Sequence, residues 1–295
     1  MISGEHAVLR GELGIVGAIN RRLSATLRPR SDDQIVVISS LGRLEGSRFE
    51  LPNSPSFQVV RGVIQSFQPI LPSGFEVEIT SEIEANLGLG TSAAVCVVVT
   101  AILKEWTNHP DRLDSICLKV IRSLQRFASG GDILASIHGG LLAYRMDQEP
   151  LSLPWLPPLT VVYSGSKMPT ADVIQFVQEK EREEPEEYAA YYEIIGRISG
   201  VMVQKIQKKE IEWLGKYWIA HHMIQQLMGV SHPVLDQICE SLSAIPTISG
   251  AKISGSGLGD CVIGLGSISK NDYHGPGTLL EHIELSPQGL IVQTS

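Results

Sequence analysis

Apolar residues recur along the first half of the chain with two different periods. Runs such as Gln34 to Ser40 and Phe75 to Thr80 are short and alternating or wholly apolar, as strands are. Phe57 to Phe67, Ala93 to Trp106 and Leu113 to Phe127 repeat every three to four residues, which predicts helices. The stretch Glu149 to Pro158 then carries four prolines, which neither a helix nor a central strand sustains, so a domain boundary is expected there, with domains at 1–152 and 153–295. A short strand at Leu159 to Ser164 follows it. Pro169 to Val230 reads as helical, and its run Glu179 to Glu187, acids mixed with Lys180 and Arg182, reads as a solvated helix end. The last third alternates again: a helix near Pro233 to Leu242 and strands near Ala251 to Ile253, Cys261 to Leu265 and Gly289 to Gln293. The pattern contains no internal repeat and no low-complexity tract, and its class is α+β.

Composition narrows the function more than the fold. The chain has 295 residues, 43% hydrophobic and 19% charged, which is ordinary for a globular protein with room for two cores. A formal net charge of -8 without a basic stripe argues against nucleic acid as a partner, so any phosphate handled here belongs to a small molecule. Cys96, Cys117, Cys239 and Cys261 show no CxxC spacing and read as reduced, buried thiols. Met1 to Leu9 lacks a basic segment followed by an apolar core, and the longest uninterrupted apolar run is Ala93 to Val99; no membrane partner and a cytoplasmic location are expected.

The chemistry concentrates at Gly88-Leu89-Gly90-Thr91-Ser92-Ala93-Ala94, between a strand-like run and a helix expected from about Ala93. Glycines let a backbone approach an anion closely, the amides opening the next helix point at it, and Thr91 and Ser92 add hydroxyls for phosphate oxygens or magnesium. No Lys follows the last glycine, so this is not a P-loop. Gly88-x-Gly90-x-x-Ala93 also satisfies the relaxed dinucleotide fingerprint, although Glu105, near the acid's spacing, falls within a helical pattern. A plain tight turn is the third reading of the loop alone.

Three further segments carry glycines and acids: Gly4-Glu5-His6-Ala7-Val8-Leu9; Ala128-Ser129-Gly130-Gly131-Asp132 with Ala135 to Gly140; and Lys252-Ile253-Ser254-Gly255-Ser256-Gly257-Leu258-Gly259-Asp260-Cys261. Four such motifs in this order resemble the GHMP kinases, the galactokinase, homoserine kinase, mevalonate kinase and phosphomevalonate kinase superfamily, over essentially the whole chain. Gly4-Glu5-His6-Ala7-Val8 and the stretch His221 to Cys239 resemble the mevalonate kinase branch, while Ala128 to Asp132 and Gly259-Asp260-Cys261 lean toward phosphomevalonate kinases.

The resemblance implies a two-domain GHMP kinase fold, with a ribosomal protein S5 domain 2-like N-terminal domain and a ferredoxin-like C-terminal domain. It implies ATP and Mg2+ as cofactors, mevalonate or a related alcohol as acceptor, and a homodimer as a possible assembly. Gly88, Leu89, Gly90, Thr91, Ser92 and Ala93 would hold the triphosphate, with Gly255, Ser256 and Gly257 completing its wall. Ser92 would ligate magnesium, Asp132 would be the catalytic aspartate, and Glu5, His6 and Asp132 would face the acceptor. Without the resemblance, Asp132 reads as the cap of a helix starting near Ile133, and His6 as a core or turn histidine. His221 and His222, adjacent on a helix, face different ways and suit packing better than one metal ion. Lys167 reads as a solvated loop lysine or a contact to an anionic acceptor.

The sequence departs from the family pattern twice. The strand bearing a Lys that normally precedes the first motif is not in this sequence, and its neighbour would keep unpaired backbone groups unless something covers that edge. The acid expected some three turns before the catalytic Asp has no counterpart in Val120 to Gln125, which leaves water and nucleotide oxygens to complete a magnesium shell.

Overall fold

The computed structural model describes residues 1–83, 87–125 and 127–294, and their side chains except at 211 and 212. In chain order the first elements are strands β1 (Gly14–Gly17), β2 (Leu23–Pro29), β3 (Gln34–Ser39) and β4 (Gly42–Ser47), helix α1 (Gln58–Phe67) and strand β5 (Phe75–Ser81). Helices α2 (Thr91–Thr107), α3 (Leu113–Leu124) and α4 (Gly131–His138) follow, then strands β6 (Leu141–Tyr144), β7 (Leu151–Leu153) and β8 (Leu159–Tyr163). The remainder is α5 (Thr170–Glu183), α6 (Pro185–Lys208), α7 (Ile211–Leu227), α8 (Pro233–Ser243), β9 (Ala251–Ser254), β10 (Cys261–Leu265) and β11 (Thr278–Leu280).

The chain divides into two compact units, and the division falls inside the glycine loop, between Gly88 and Leu89. One unit comprises Arg21–Ala85, Leu89–Ile137 and Leu290–Ser295. Its four-stranded sheet runs β2-β5-β3-β4, with β3 and β5 parallel and the other pairs antiparallel. Phe75, Val77 and Ile79 of β5 alternate inward, as a strand with one covered face requires. Buried positions Val60, Val63, Ile64 and Phe67 put one stripe of α1 into the same core, as do Ile116, Cys117, Val120 and Ile121 of α3. α2 is apolar nearly all round and correspondingly central, with Cys96, Val97, Val99 and Leu103 all buried.

The other unit comprises Met1–Asn20, Asn86–Gly88 and His138–Gly289. It holds a three-stranded sheet, β1-β6-β7, and a four-stranded antiparallel sheet, β11-β8-β10-β9. The proline-rich segment itself contains β7, an edge strand of the first sheet, and Pro154, Pro157 and Pro158 follow it before β8 of the second sheet. β10 lies between two neighbours and is buried at all its positions, with Val262 in a core formed with α8. The outer edge of β1 is covered at Ile15, which exchanges backbone hydrogen bonds of 2.8 Å with Ile2 and Ser3.

Two expected elements differ. Residues 289–293 form no strand: Leu290 bonds to Ile137 and packs in the sheet-and-helix core, while Ile291 and Val292 are exposed. A strand without a counterpart in the sequence pattern, Thr278–Leu280, pairs with β8 in register. The third helix ends at Leu124, because Gln125 turns to extended backbone angles; Arg126 lies outside the described residues. All four cysteines are free and buried. Among the described residues no helix is long and apolar enough to cross a membrane.

Candidate active site

The glycine loop delivers a helix start. Gly90 has φ +77, a left-handed conformation that glycine adopts without a Cβ penalty, and it stands as the N-cap of α2. No side chain caps the helix, so its first amides keep their hydrogen-bonding capacity toward an anion. Ser92 is exposed, Thr91 half-buried, and Ala93 packs into the core beneath. The helix begins two residues earlier than its apolar period suggests, because Thr91 and Ser92 are helical without being apolar.

Asp132 joins this loop. It is the second residue of α4, inside the first turn rather than at the cap, and it is exposed. Its carboxylate lies where a side chain at position 90 would point: a Cβ on Gly90 would stand 3.5 Å from Asp132 Cγ. Gly90 and Asp132 thus bring an uncapped helix start and a carboxylate side by side within one unit.

The first and third glycine segments come together in the other unit. Glu5 is 3% exposed and Lys252 is wholly buried, and Lys252 Nζ donates to the Glu5 carboxylate and to Ile253 O. His221 Nε2 faces the other Glu5 oxygen at 3.4 Å. Burial works to raise the Glu5 carboxyl, but Lys252 and then His221 outweigh it and bring it down to about 2. His221 is lowered to about 3, chiefly by burial, and is neutral. His6 sits at φ +60 and donates from Nε2 to Ser256 O at 2.7 Å; burial lowers it as well. Glu5 and His6, the expected acceptor-facing pair, therefore both have protein partners, and those partners lie in or beside the third segment.

That segment is a tight turn with four successive left-handed residues, Gly257, Leu258, Gly259 and Asp260, at φ +89, +55, +149 and +60. Backbone bonds from Leu258 to Val230 O and from Asp260 to Ser166 O hold it, both at 2.8 Å. It also grips the start of the glycine loop. Cys261 Sγ donates to Leu87 O at 3.1 Å, and the Asp260 side chain lies so close to Gly88 that a Cβ there would stand 2.5 Å from Asp260 Cγ. Lys167 approaches the buried Asp260 carboxylate at 3.8 Å, so it is neither wholly solvated nor free for an anion alone.

His221 and His222 face apart, as adjacent helical residues do: His222 Nε2 turns to Asp236 Oδ1 at 3.2 Å, and Nδ1 lies 3.7 Å from Cys239 Sγ. Among the described residues no group of three or more His, Cys, Asp or Glu could hold a metal ion. The sequence places Lys252 and Asp260 in the third segment but gives neither a partner. The available signal for the first was a lysine inside an apolar strand, Ala251-Lys252-Ile253, whose charge needs a buried partner.

Two family profiles match stretches that include the glycine loop, the segment at 128–140 and the turn at 252–261. The sequence profile described as the GHMP kinases N terminal domain matches residues 58–140, and that described as GHMP kinases C terminal matches residues 202–272. The chain is 29% identical over 279 residues to mevalonate kinase of Aeropyrum pernix, covering 90% of this chain and 85% of that protein. It is 30% identical over 268 residues to mevalonate kinase of Archaeoglobus fulgidus, covering 90% and 89%. Among solved structures it is similar to Lactococcus lactis galactokinase complexed with galactose, with TM-score 0.81, 16% identity, and 98% and 91% of the two chains covered. L. major mevalonate kinase in complex with R-mevalonate gives TM-score 0.72 at 21% identity, with 92% and 85% covered. These two structures share the fold with this chain.

Proposed function

The chain belongs to the GHMP kinases, a family of ATP-using phosphotransferases, and from that we propose that it transfers the γ-phosphoryl group of ATP to the hydroxyl of mevalonate. The observation that carries the reading is the Asp132 carboxylate beside the left-handed Gly90 at the start of α2. Residues Gly88 to Ala93 fit a polyphosphate: two glycines with positive φ, an uncapped helix start and two hydroxyls. Gly255, Ser256 and Gly257 form a separate glycine turn, which we read as a second contact for nucleotide. Ser92 offers a hydroxyl to Mg2+, whose charge would offset the negative charge developing on the phosphoryl oxygens. Asp132 accepts the acceptor's hydroxyl proton as its oxygen bonds to phosphorus and the bond to the departing ADP oxygen breaks. Glu5 and His6 serve the acceptor region through the turn they hold at Ser256.

Mevalonate is preferred as acceptor because the curated relatives aligned over 90% of the chain are named mevalonate kinase. Gly259-Asp260-Cys261, with Lys167 beside Asp260, keeps 5-phosphomevalonate as the second acceptor to test. The test is ATP consumption with magnesium, comparing mevalonate, 5-phosphomevalonate, galactose and no acceptor, with Asp132→Asn as control. Turnover with mevalonate alone, lost in the variant, is the expected result. Turnover with another acceptor only would replace the substrate and keep the mechanism, and full turnover in Asp132→Asn would overturn the mechanism.

A further inference from the structure

The opening residues of the chain are tied to the strand and turn at 252–256 at three alternate positions. Glu5 meets Lys252, the Met1 carbonyl accepts from Ser254 Oγ at 2.9 Å, and His6 donates to Ser256 O at 2.7 Å. Ile253 O, between the first two, accepts from Lys252 and also from Gln225 Nε2 at 3.3 Å. Lys252 is the one full charge on this strand, and no part of it reaches solvent.

Stability does not account for it. Taking an ammonium out of water costs several kcal/mol, and a buried ion pair replaced by apolar residues of similar volume is often neutral or more stable. What a buried charge pair does supply is one register: sliding residues 4–6 against 252–256 would leave both charges unpaired in a dry interior, a far larger penalty than losing apolar contacts. The turn that follows Lys252 contains Gly255 and Gly257 at φ +100 and +89, with no side chain of their own to lock them. Backbone bonds from Leu258 and Asp260 hold its far end, and His6 holds it at Ser256.

We propose that Lys252 is a positioning residue: paired with Glu5, it sets the register that lets His6 hold Ser256, and so fixes the Gly255–Gly257 backbone in one orientation toward bound nucleotide. The proposal rests on reading Gly255, Ser256 and Gly257 as a turn that contacts nucleotide. It assigns Lys252 no contact with substrate.

The test compares the parent chain with Lys252→Met and with the double variant Glu5→Leu/Lys252→Met, following thermal melting and amide hydrogen exchange over residues 251–260. Lys252→Met alone strands a buried carboxylate and melts earlier. The double variant is expected to regain a melting temperature near the parent's while its 255–257 amides exchange roughly tenfold faster, an opening confined to the turn. KM for ATP should rise about tenfold, since a misplaced turn is felt at the nucleotide. A double variant with the parent's melting, exchange and KM would overturn the proposal and make the pair mere packing. If the double variant does not fold, Glu5→Asp decides, because it keeps the charge and shortens its reach. Faster exchange at 255–257 with little change in melting is then expected, and unchanged exchange would overturn the idea. Absence of ATP turnover in the parent would count against the kinase reading alone and leave the exchange comparison decisive.

Discussion

Asp132 and Gly90 face each other across the start of two helices: the carboxylate of one occupies the space in front of the backbone of the other, with 3.5 Å from Asp132 Cγ to where a Gly90 Cβ would be. An acid beside an uncapped helix start would repel the anion that such a start attracts, so the pair is a place to test chemistry. Asp132→Asn should lower kcat by roughly 10² to 10⁴, the usual worth of a general base. Because Asp132 is exposed and sits in a first helical turn, the substitution should cost only about 0.3 to 1 kcal/mol of stability. Parallel measurement of kcat and melting checks both halves; kcat near the parent's would remove Asp132 from the reaction.

Gly88 and Gly90 are both left-handed, but they should respond differently to alanine. Each pays about 1 to 2 kcal/mol for the backbone conformation. Gly88→Ala in addition drives its Cβ to 2.5 Å from Asp260 Cγ, whereas Gly90→Ala meets Asp132 at an ordinary 3.5 Å. Gly88→Ala should therefore be the more destabilising in urea unfolding, and adding Asp260→Gly should recover the difference. A double variant no more stable than Gly88→Ala would show that Asp260 is not what crowds Gly88.

Acid should weaken the fold in two overlapping steps. His221 is held neutral, brought down from 6.5 to about 3 by burial, and His6 and His222 are lowered for the same reason. The unfolded chain binds these protons below pH 6.5 and the folded chain does not, so stability declines as pH falls from 6.5 toward 3. Glu5, lowered from 4.5 to about 2, adds its loss between those values as its charge is neutralised. Unfolding free energy measured against pH should show this decline, with a shallower slope between pH 6.5 and 4.5 in His221→Gln. An equal slope in that variant would mean that His221 takes up its proton in the folded state.

The four thiols should resist modification until the chain opens. Cys96, Cys117, Cys239 and Cys261 are all buried, and burial pushes Cys261 up to about 12 and Cys239 higher still, which keeps both protonated at neutral pH. A thiol-reactive chromogen at pH 8 should therefore label the native chain only at the rate of unfolding, and all four sites in denaturant. Rapid labelling of one thiol in the native protein would contradict the burial described here.

The elements easiest to foresee were those whose burial is periodic over ten residues or more. α1 and α3 place their buried residues at helical spacing, and one covered face of β5 shows as alternation, so local order and tertiary burial agree there. β1, β6 and β7 are three or four residues long, too short for any period to register. Gly289 to Gln293 had the composition of a strand, but Leu290 packs in a helix-and-sheet core while Ile291 and Val292 are exposed, so the run has neither a strand's partner nor its burial pattern. The same limit applied to the site. Gly88 to Ser92 and Asp132 were legible because glycines, hydroxyls and an acid each have a local chemical reason to be there. Lys252 was not, because its meaning depends on Glu5, 247 positions away in the chain.

By itself the sequence determined the α+β class, the glycine loop and its helix start, and the kinase family, since each rests on neighbouring residues and on the order of motifs along the chain. Only the tertiary structure decided that Asp132 stands at Gly90, that Asp260 crowds Gly88, that Glu5 is spent on Lys252 and that His6 is spent on Ser256. Those are distances between residues far apart in the chain, and the free energy that sets them is burial and charge pairing in a folded interior, which no local run of residues encodes.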